Sequence, residues 1–439
     1  MIHQTPLLTT LVAGLGLAFL FALLAHRLRL PLIAGYLVAG VVIGPFTPGY
    51  VADAALAAEL AELGVILLMF GVGLHFSLRD LLSVRAVAVP GALGQIAVAT
   101  LAGTLLGWAM GWGWGAGILF GLALSVASTV VLLRALGERD LVETERGRIA
   151  VGWLIVEDLV MVVTLVVIPS LAGFLGGTET TSVAADVAGQ VLAEMAPDAA
   201  ATGGLGYVLV VTLLKVAVFV GVMLVVGRRV IPWVLHWTAH LHSRELFRLS
   251  VLAIALGVAY GATRLFGVSF ALGAFFAGLV MATSTFSQAA ARETLPLRDA
   301  FAVLFFVSVG MLFDPAILVR APLAVLGTVL IVTVVKSAAA FLIVRAAGHD
   351  RGTALTVSAA LAQIGEFSFI LASLGLYLDV LPEEARDLIV AGAIASIVLN
   401  PFAFAALDRW LAREEARDKG SAKAGEAADE KAGEAATPS

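Results

Sequence analysis

The feature that most constrains this chain is a succession of long apolar segments that runs through almost its whole length. Hydropathy marks about thirteen of them, each near the length that a helix needs to cross roughly 30 Å of hydrocarbon. Because they are continuous apolar runs, they favour helices over the alternating strands of a β-barrel. We therefore predict an all-α polytopic membrane protein with about 13 transmembrane helices, at residues 7–25, 31–46, 60–75, 86–108, 115–137, 147–172, 205–227, 246–263, 267–284, 299–313, 321–346, 353–377 and 387–408.

The composition agrees with a lipid environment. Of the 439 residues, 60% are hydrophobic and 13% are charged, whereas a soluble domain is roughly half apolar and a quarter charged. The chain has no cysteine, which excludes disulfides and thiol chemistry. We predict one transmembrane domain over residues 1–410. Residues 411–439 are rich in Ala, Gly, Glu and Lys and predict a disordered cytoplasmic tail.

The distribution of arginine predicts the orientation. Every second loop, starting after the first segment, belongs to a set that carries sixteen arginines, and the other set carries only Arg264, Arg320 and Arg386. Loops rich in basic residues stay in the cytoplasm. The N-terminus is therefore expected outside and the C-terminus inside, with the acidic loop at 173–204 outside, in a protein of the bacterial inner membrane.

The two halves of the chain resemble each other weakly. The block at 34–42 aligns with 272–280 at a shift of 238, and the block at 68–76 aligns with 305–313 at a shift of 237. A shift that spans seven helices inserts the second copy upside down, and such inverted repeats are typical of secondary transporters. We expect repeats over about 7–172 and 246–408, with a linker helix at 205–227.

Four charged residues stand out inside apolar segments, where charge is costly and usually functional. They are Glu157, Asp158, Lys336 and Glu366; a fifth, Lys215, is better explained by packing or by snorkelling. A buried carboxylate can bind a proton or a hard cation, but not easily both, and that competition is the minimal chemistry of antiport. The alternative is a carboxylate–Lys336 ion pair that only fixes helix packing.

Two apolar segments carry polar or glycine residues near the middle, at matching positions of the two halves. One holds Ser125, Ser128 and Thr129, and the other holds Gln363 and Glu366 around a glycine. This pairing predicts two discontinuous helices whose free carbonyls and dipole ends line an ion site. Ordinary back-bonding of Ser and Thr to the preceding turn is the alternative.

The motifs LPLIAGYLVAGVVIGP, LGVILLMFGVGLHFSLRDLL, ALSVASTVVLLRAL, VEDLVMV and ALAQIGEFSFIL resemble the membrane domain of Kef-type potassium–proton antiporters, of the monovalent cation:proton antiporter-2 superfamily. The resemblance implies a homodimer that exchanges K⁺, or Na⁺, for H⁺ by an elevator movement. It implies that Asp158 carries the proton and the cation, with Thr129 beside the helix crossover and Lys336 as the membrane lysine. Glu157, Ser125, Ser128, Gln363 and Glu366 complete the expected site.

Two features depart from the Kef pattern. Glu157 stands where many Kef proteins have Gln, which leaves the choice of ion open. No G-x-G-x-x-G fingerprint of a nucleotide-binding domain is present, so a separate cytoplasmic regulatory subunit is one expectation. We expect no cofactor, no nucleic-acid partner and no enzymatic activity. A channel-like potassium efflux pathway and a non-transporting sensor on the same fold are the alternatives.

Overall fold

The structure, a computed structural model, describes residues 6–28, 30–75, 78–177, 205–241 and 243–435. All regular elements within these ranges are helical. Most of the predicted outside loop at 173–204 lies outside the described residues, so its placement stays a prediction.

The helices of the described ranges are numbered here in chain order. They are α1 (Pro6–Arg27), α2 (Leu32–Ile43), α3 (Ala54–His75), α4 (Leu78–Ala109), α5 (Trp114–Ser125), α6 (Thr129–Gly137), α7 (Glu145–Leu171), α8 (Leu205–Val222), α9 (Arg228–His240), α10 (Arg244–Phe266), α11 (Phe270–Ala282), α12 (Ser287–Met311), α13 (Ile317–Arg320), α14 (Pro322–Leu330), α15 (Lys336–Ala346), α16 (Arg351–Leu361), α17 (Glu366–Tyr377) and α18 (Glu383–Ala435). Two π-helical turns, Met223–Gly227 and Ile331–Val335, join α8 to α9 and α14 to α15.

Each of the predicted apolar segments coincides with a helix, or with two helices joined end to end. By length and composition, seven helices of the described ranges can cross a membrane, or eight if α16 and α17 form one bent span. Helices α2, α5 and α11 are apolar but shorter. The all-helical membrane fold is confirmed, and the number of thirteen crossings stays a prediction.

The outer helices present apolar side chains where a soluble protein would present polar ones. On α1, Val12, Phe19 and Leu20 are 64%, 66% and 57% exposed, and on α15 Leu342 is 64% exposed. Lipid tails are the solvent that such a surface requires.

The helices pack into two bundles. Helices α1–α3 pack with α10–α12, and helices α4–α7 pack with α14–α18. Helices α8 and α9 connect the two halves of the chain and contact both α7 and the first bundle. Each bundle therefore takes helices from both halves of the chain.

The repeat recurs in the helix bounds and in a glycine contact. Helices α1, α2, α6 and α7 begin 237 or 238 residues before α10, α11, α17 and α18. A Cβ built on Gly40 of α2 would lie 2.8 Å from the Cα of Gly310 of α12. At the matching positions of the repeat, a Cβ on Gly278 of α11 would lie 3.1 Å from the carbonyl carbon of Gly73 of α3. The same close crossing is thus made twice, which is the contact pattern of a two-fold related pair.

Helix α18 continues to Ala435 over residues that the sequence predicts to be disordered. Alanine, glutamate and lysine have high helix propensity, so a helical backbone is compatible with this composition. The division into a domain at 1–410 and a disordered tail stays a prediction.

Candidate ion-binding site at the helix crossing

The first discontinuous helix breaks between α5 and α6, at residues 126–128. Ser128 adopts an extended backbone there, and its hydroxyl accepts a hydrogen bond from the Val131 amide at 3.4 Å. This is N-cap geometry, for which serine is among the preferred residues. The predicted interruption of this segment is therefore present, and it restarts as a capped helix at Thr129.

The second discontinuous helix breaks between α16 and α17, at residues 362–365. Gly365 stands before the first residue of α17, Glu366, and the two half-helices meet at 42°. A Cβ at Gly365 would lie 2.5 Å from the Ala127 carbonyl oxygen, so glycine is required for the close approach of the first break.

The two breaks cross in direct contact. The Gly365 amide donates to the Val126 carbonyl at 3.1 Å. The Ser128 amide donates to Gln363 Oε1 at 2.8 Å, and Gln363 Nε2 donates back to the Ser128 carbonyl at 3.1 Å. Backbone groups freed by a broken helix in lipid need partners, because no bulk water is available there. Here each break supplies partners for the other.

Polar side chains from neighbouring helices satisfy the remaining backbone groups. Gln95 of α4 donates to the Ser125 carbonyl at 2.9 Å, and its amide oxygen accepts from Trp153 Nε1 at 3.3 Å. Ser396 accepts from the Ile364 amide at 3.3 Å, and Asn400 donates to the Ala359 carbonyl at 2.8 Å. Side chains of α4, α7 and α18 thus extend the hydrogen-bond network of the crossing.

Asp158 of α7 lies beside the start of α6. Thr129 Oγ1 donates to its Oδ2 at 3.3 Å, while its Oδ1 is buried without a hydrogen-bond partner among the described residues. The side chain is only 6% exposed. An unsatisfied buried carboxylate oxygen is costly in a native structure, and binding of a proton or a cation would relieve that cost.

Glu157, the preceding residue, has a different environment. Its Oε2 accepts from the Ala127 amide at 2.9 Å, so it stabilises the first break, while its Oε1, like Oδ1 of Asp158, is buried without a hydrogen-bond partner among the described residues. It also interacts electrostatically with Lys336, whose Nζ donates to the Gln363 carbonyl at 2.9 Å in the second break. Both side chains are fully buried. The pair therefore bridges the two discontinuous helices.

Glu366 is the first residue of α17 and is 3% exposed. The Ser128 hydroxyl interacts with its carboxylate, and its Oε2 is buried without a hydrogen-bond partner among the described residues. Its charge interacts with that of Asp158. At matching positions of the repeat, Thr129 and Glu366 thus begin the two second half-helices, as the alignment predicts.

A cavity of about 540 Å³ lies between the two bundles and reaches these residues. Thr129 and Glu366 of the second bundle line one side, with Arg134 farther along α6. Tyr36 of α2 and Arg298 of α12 line the side of the first bundle. Arg298 is paired with Asp299 at 2.7 Å, and Arg134 with Glu138 at 2.9 Å.

Seven of the eight predicted site residues lie at the crossing with their side chains directed into it: Ser128, Thr129, Glu157, Asp158, Lys336, Gln363 and Glu366. Ser125 contributes through its carbonyl, because its hydroxyl donates to the Leu122 carbonyl at 2.7 Å. Four further residues of the crossing were not predicted from the sequence: Gln95, Trp153, Ser396 and Asn400. An isolated amide inside an apolar segment is a signal that could have indicated Gln95 and Asn400.

Residues 15–410 match the family described as sodium/hydrogen exchanger, transmembrane. The chain belongs to this family. The predicted resemblance to a cation:proton antiporter membrane domain is therefore confirmed, and the crossing described above lies within the matched residues of this exchanger.

Two proteins with similar sequences are antiporters by name. The exchanger is 57% identical over 415 residues to the putative cation/proton antiporter YbaL of Escherichia coli K12, an alignment that covers 94% of the exchanger and 70% of the relative. It is 32% identical over 376 residues to K(+) efflux antiporter 4 of Arabidopsis thaliana, covering 85% of the exchanger and 59% of the relative. The exchanger thus spans less than two thirds of the plant protein.

A solved structure supports the fold. The sodium proton antiporter MjNhaP1 from Methanocaldococcus jannaschii at pH 8 superposes with a TM-score of 0.62, over 90% of the exchanger and 96% of that chain, at 16% sequence identity. The predicted sodium/proton-antiporter-like architecture is confirmed by this likeness.

Proposed function

We propose that this exchanger transports a monovalent cation, with K⁺ favoured and Na⁺ possible, in exchange for H⁺, and that Asp158 is the shared binding group. The observation that carries the proposal is the state of the Asp158 carboxylate. One oxygen is oriented by Thr129, and the other is buried with no partner among the described residues. A group so placed gains from binding either a proton or a cation.

Oxygen donors around Asp158 suit an alkali cation. The Thr129 hydroxyl and the unpartnered Oε2 of Glu366 lie at the end of the interbundle cavity, and the Ser128 hydroxyl connects the two half-helices. Hard cations prefer such oxygen ligands. A cation entering through the cavity would meet Glu366 and Thr129 before Asp158, and a proton arriving at Asp158 would displace it.

Glu157 and Lys336 are proposed to hold the crossing in shape. Glu157 keeps its proposed place in the ion site through its unpartnered Oε1, while its Oε2 accepts from the Ala127 amide and its charge is balanced by Lys336. Lys336 is similarly engaged with the Gln363 carbonyl. A buried carboxylate and ammonium that balance each other allow the site to load one positive charge at Asp158 without a second uncompensated group.

Alternating access requires the site to face each side of the membrane in turn. The bundle of α4–α7 and α14–α18 carries the site residues, and the bundle of α1–α3 and α10–α12 forms the opposite cavity wall. Movement of the site-carrying bundle past the bundle of α1–α3 and α10–α12 would be an elevator movement. Arg134 and Arg298 line the cavity and belong to the loops that are predicted to be cytoplasmic, so with the proposed orientation the cavity opens to the cytoplasm.

The names of the relatives support the choice of ion. YbaL is called a cation/proton antiporter, and the plant relative a K(+) efflux antiporter. A homodimer in the bacterial inner membrane, with the N-terminus outside and the C-terminus in the cytoplasm, remains the proposed setting. A regulatory cytoplasmic subunit remains a proposal that rests on the Kef resemblance.

Transport in liposomes tests this function. The purified protein is reconstituted with a pH-sensitive dye inside, a proton gradient is imposed, and K⁺, Na⁺ or Li⁺ is added. Antiport predicts cation-dependent recovery of the dye signal that saturates with concentration and is lost in Asp158→Asn. Recovery that rises linearly at channel-like rates would favour the efflux pathway, and equal recovery in Asp158→Asn would exclude this carboxylate.

A further inference from the structure

A second cavity lies at the surface end of the site-carrying bundle, where α15 ends and α16 begins. It has a volume of about 430 Å³ and is lined by Phe341, Arg345, Arg351, Leu355 and Trp410. Phe341 and Arg345 lie on α15, Arg351 and Leu355 on α16, and Trp410 on α18. Its lining thus combines two cationic side chains with two aromatic rings and a leucine.

The acidic residue nearest to Arg345 and Arg351 in the sequence, Asp350, is engaged elsewhere, and so is Glu145. Asp350 caps α16 by accepting from the Thr353 amide at 3.0 Å, and it interacts with the charge of Arg146. Partial burial opposes ionisation of Asp350, but the Thr353 hydrogen bonds and Arg146 outweigh it and lower its pKa. Glu145 Oε1 lies 3.3 Å from His349 Nδ1.

The two arginines therefore share the cavity without an acidic partner. Arg345 donates to the His349 carbonyl, a neutral acceptor, and neither arginine forms an ion pair with the acidic side chains that the structure describes, which end at Glu414 on α18. Both arginines are exposed, so an anion from solvent or from the membrane surface can reach the two guanidinium groups. Guanidinium groups bind phosphate through paired, charge-assisted hydrogen bonds.

The apolar residues of the lining indicate that the phosphate belongs to a lipid. Phe341 and Leu355 line the cavity, and Leu342, the residue after Phe341 in α15, is 64% exposed, as a lipid-facing side chain would be. Tryptophan, as at position 410, is enriched at the level of lipid headgroups. We propose that this cavity binds the phosphate headgroup of an anionic phospholipid, with Arg345 and Arg351 on the phosphate and the acyl chains along Phe341 and Leu355.

The test is thermal unfolding of the detergent-purified full chain with added lipid. Phosphatidylglycerol is compared with phosphatidylcholine at equal concentration, and with soluble glycerol phosphate, which has the headgroup chemistry without acyl chains. We expect phosphatidylglycerol to raise the midpoint of unfolding, and the other two to change it little. Arg345→Gln/Arg351→Gln is expected to lose most of the shift.

The matched control is Arg409→Gln/Arg413→Gln, which removes the same charge from exposed positions of α18 that do not line the cavity. It should keep the wild-type shift. Arg345→Lys/Arg351→Lys keeps the charge but not the paired donors, so it should retain part of the shift and controls for folding. Equal shifts in both Gln variants, or equal effects of the two lipids, would overturn the proposal, and so would a full effect of glycerol phosphate. Because the readout is stability, it does not depend on transport.

Discussion

Ser128 and Gln363 are joined by two hydrogen bonds across 235 residues of the chain. The serine amide donates to the glutamine side-chain oxygen at 2.8 Å, and the glutamine side-chain nitrogen donates to the serine carbonyl at 3.1 Å. One side chain from the second half of the chain thus takes the place of the helical partners that the first half lacks at its break. The crossing can form only when both halves are in place.

Replacement of Gln363 tests this dependence. In Gln363→Leu, the Ser128 amide loses its partner in a buried position, which should cost about 1–3 kcal/mol and lower the midpoint of thermal unfolding in detergent. Gln363→Glu keeps the acceptor for the Ser128 amide, so its unfolding midpoint should lie between those of the wild type and Gln363→Leu. An unchanged midpoint in Gln363→Leu would show that the crossing has other support.

Glu157 and Lys336 are predicted to act as a pair. Glu157→Gln keeps an acceptor for the Ala127 amide but leaves Lys336 as an uncompensated buried charge, whereas Glu157→Gln/Lys336→Gln removes both charges. The double variant should therefore be less destabilised than the sum of the single variants, with a coupling of about 0.5–3 kcal/mol. A thermal-unfolding double-mutant cycle measures this value. Strict additivity of the two effects would contradict the pairing.

Any side chain at the glycine contact between α2 and α12 should destabilise the protein. A Cβ at Gly40 would lie 2.8 Å from the Gly310 Cα, so Gly40→Ala should separate α2 from α12 and lower thermal stability. The control is Gly261→Ala in α10, where a Cβ meets no atom within 4 Å. Alanine favours helix over glycine by about 1 kcal/mol, so this change should be neutral or stabilising. Equal losses in both variants would show that close packing at Gly40 is not the cause.

The cap of α16 should contribute stability that depends on pH. The pKa of Asp350 is lowered by Thr353 and Arg146 in spite of partial burial. Its contribution is therefore present above its unfolded pKa of about 3.9 and is lost as the pH falls through the lower folded value. At pH 7, Asp350→Ala should lose about 0.5–2 kcal/mol, and Asp350→Asn should lose less.

The readout for Asp350 is the difference in unfolding midpoint between wild type and Asp350→Ala. This difference should shrink in the acidic range below pH 4, while that between Asp350→Asn and Asp350→Ala should stay nearly constant. A difference that grows on acidification would contradict the lowered pKa.

Charged residues in apolar segments made much of the site predictable. Asp158, Glu366 and Lys336 could not be placed in lipid without a role, and the shift of about 237 residues brought the break at Ser128 into register with the break at Gly365. Such residues can be recognised in the sequence because a charge inside the membrane is costly and is therefore usually functional.

The partners of these residues could not be predicted in the same way. Gln95 and Asn400 are single polar side chains in apolar runs, and their hydrogen bonds run to carbonyls of other helices. Helix neighbours are set by packing, which hydropathy does not encode. The different environments of Glu157 and Asp158 also follow from rotation about one helix: one side chain meets the first break and the other meets Thr129.

Competition between a proton and a cation for Asp158 is the central claim, and cation-induced proton release measures it most directly. Purified protein in a weakly buffered detergent solution receives K⁺ or Na⁺, and the released protons are followed with a pH indicator. We predict saturable release from wild type and from Glu157→Gln, and none from Asp158→Asn folded to the same thermal midpoint. Release that persists in Asp158→Asn, or is absent from wild type with every cation, would contradict the assignment.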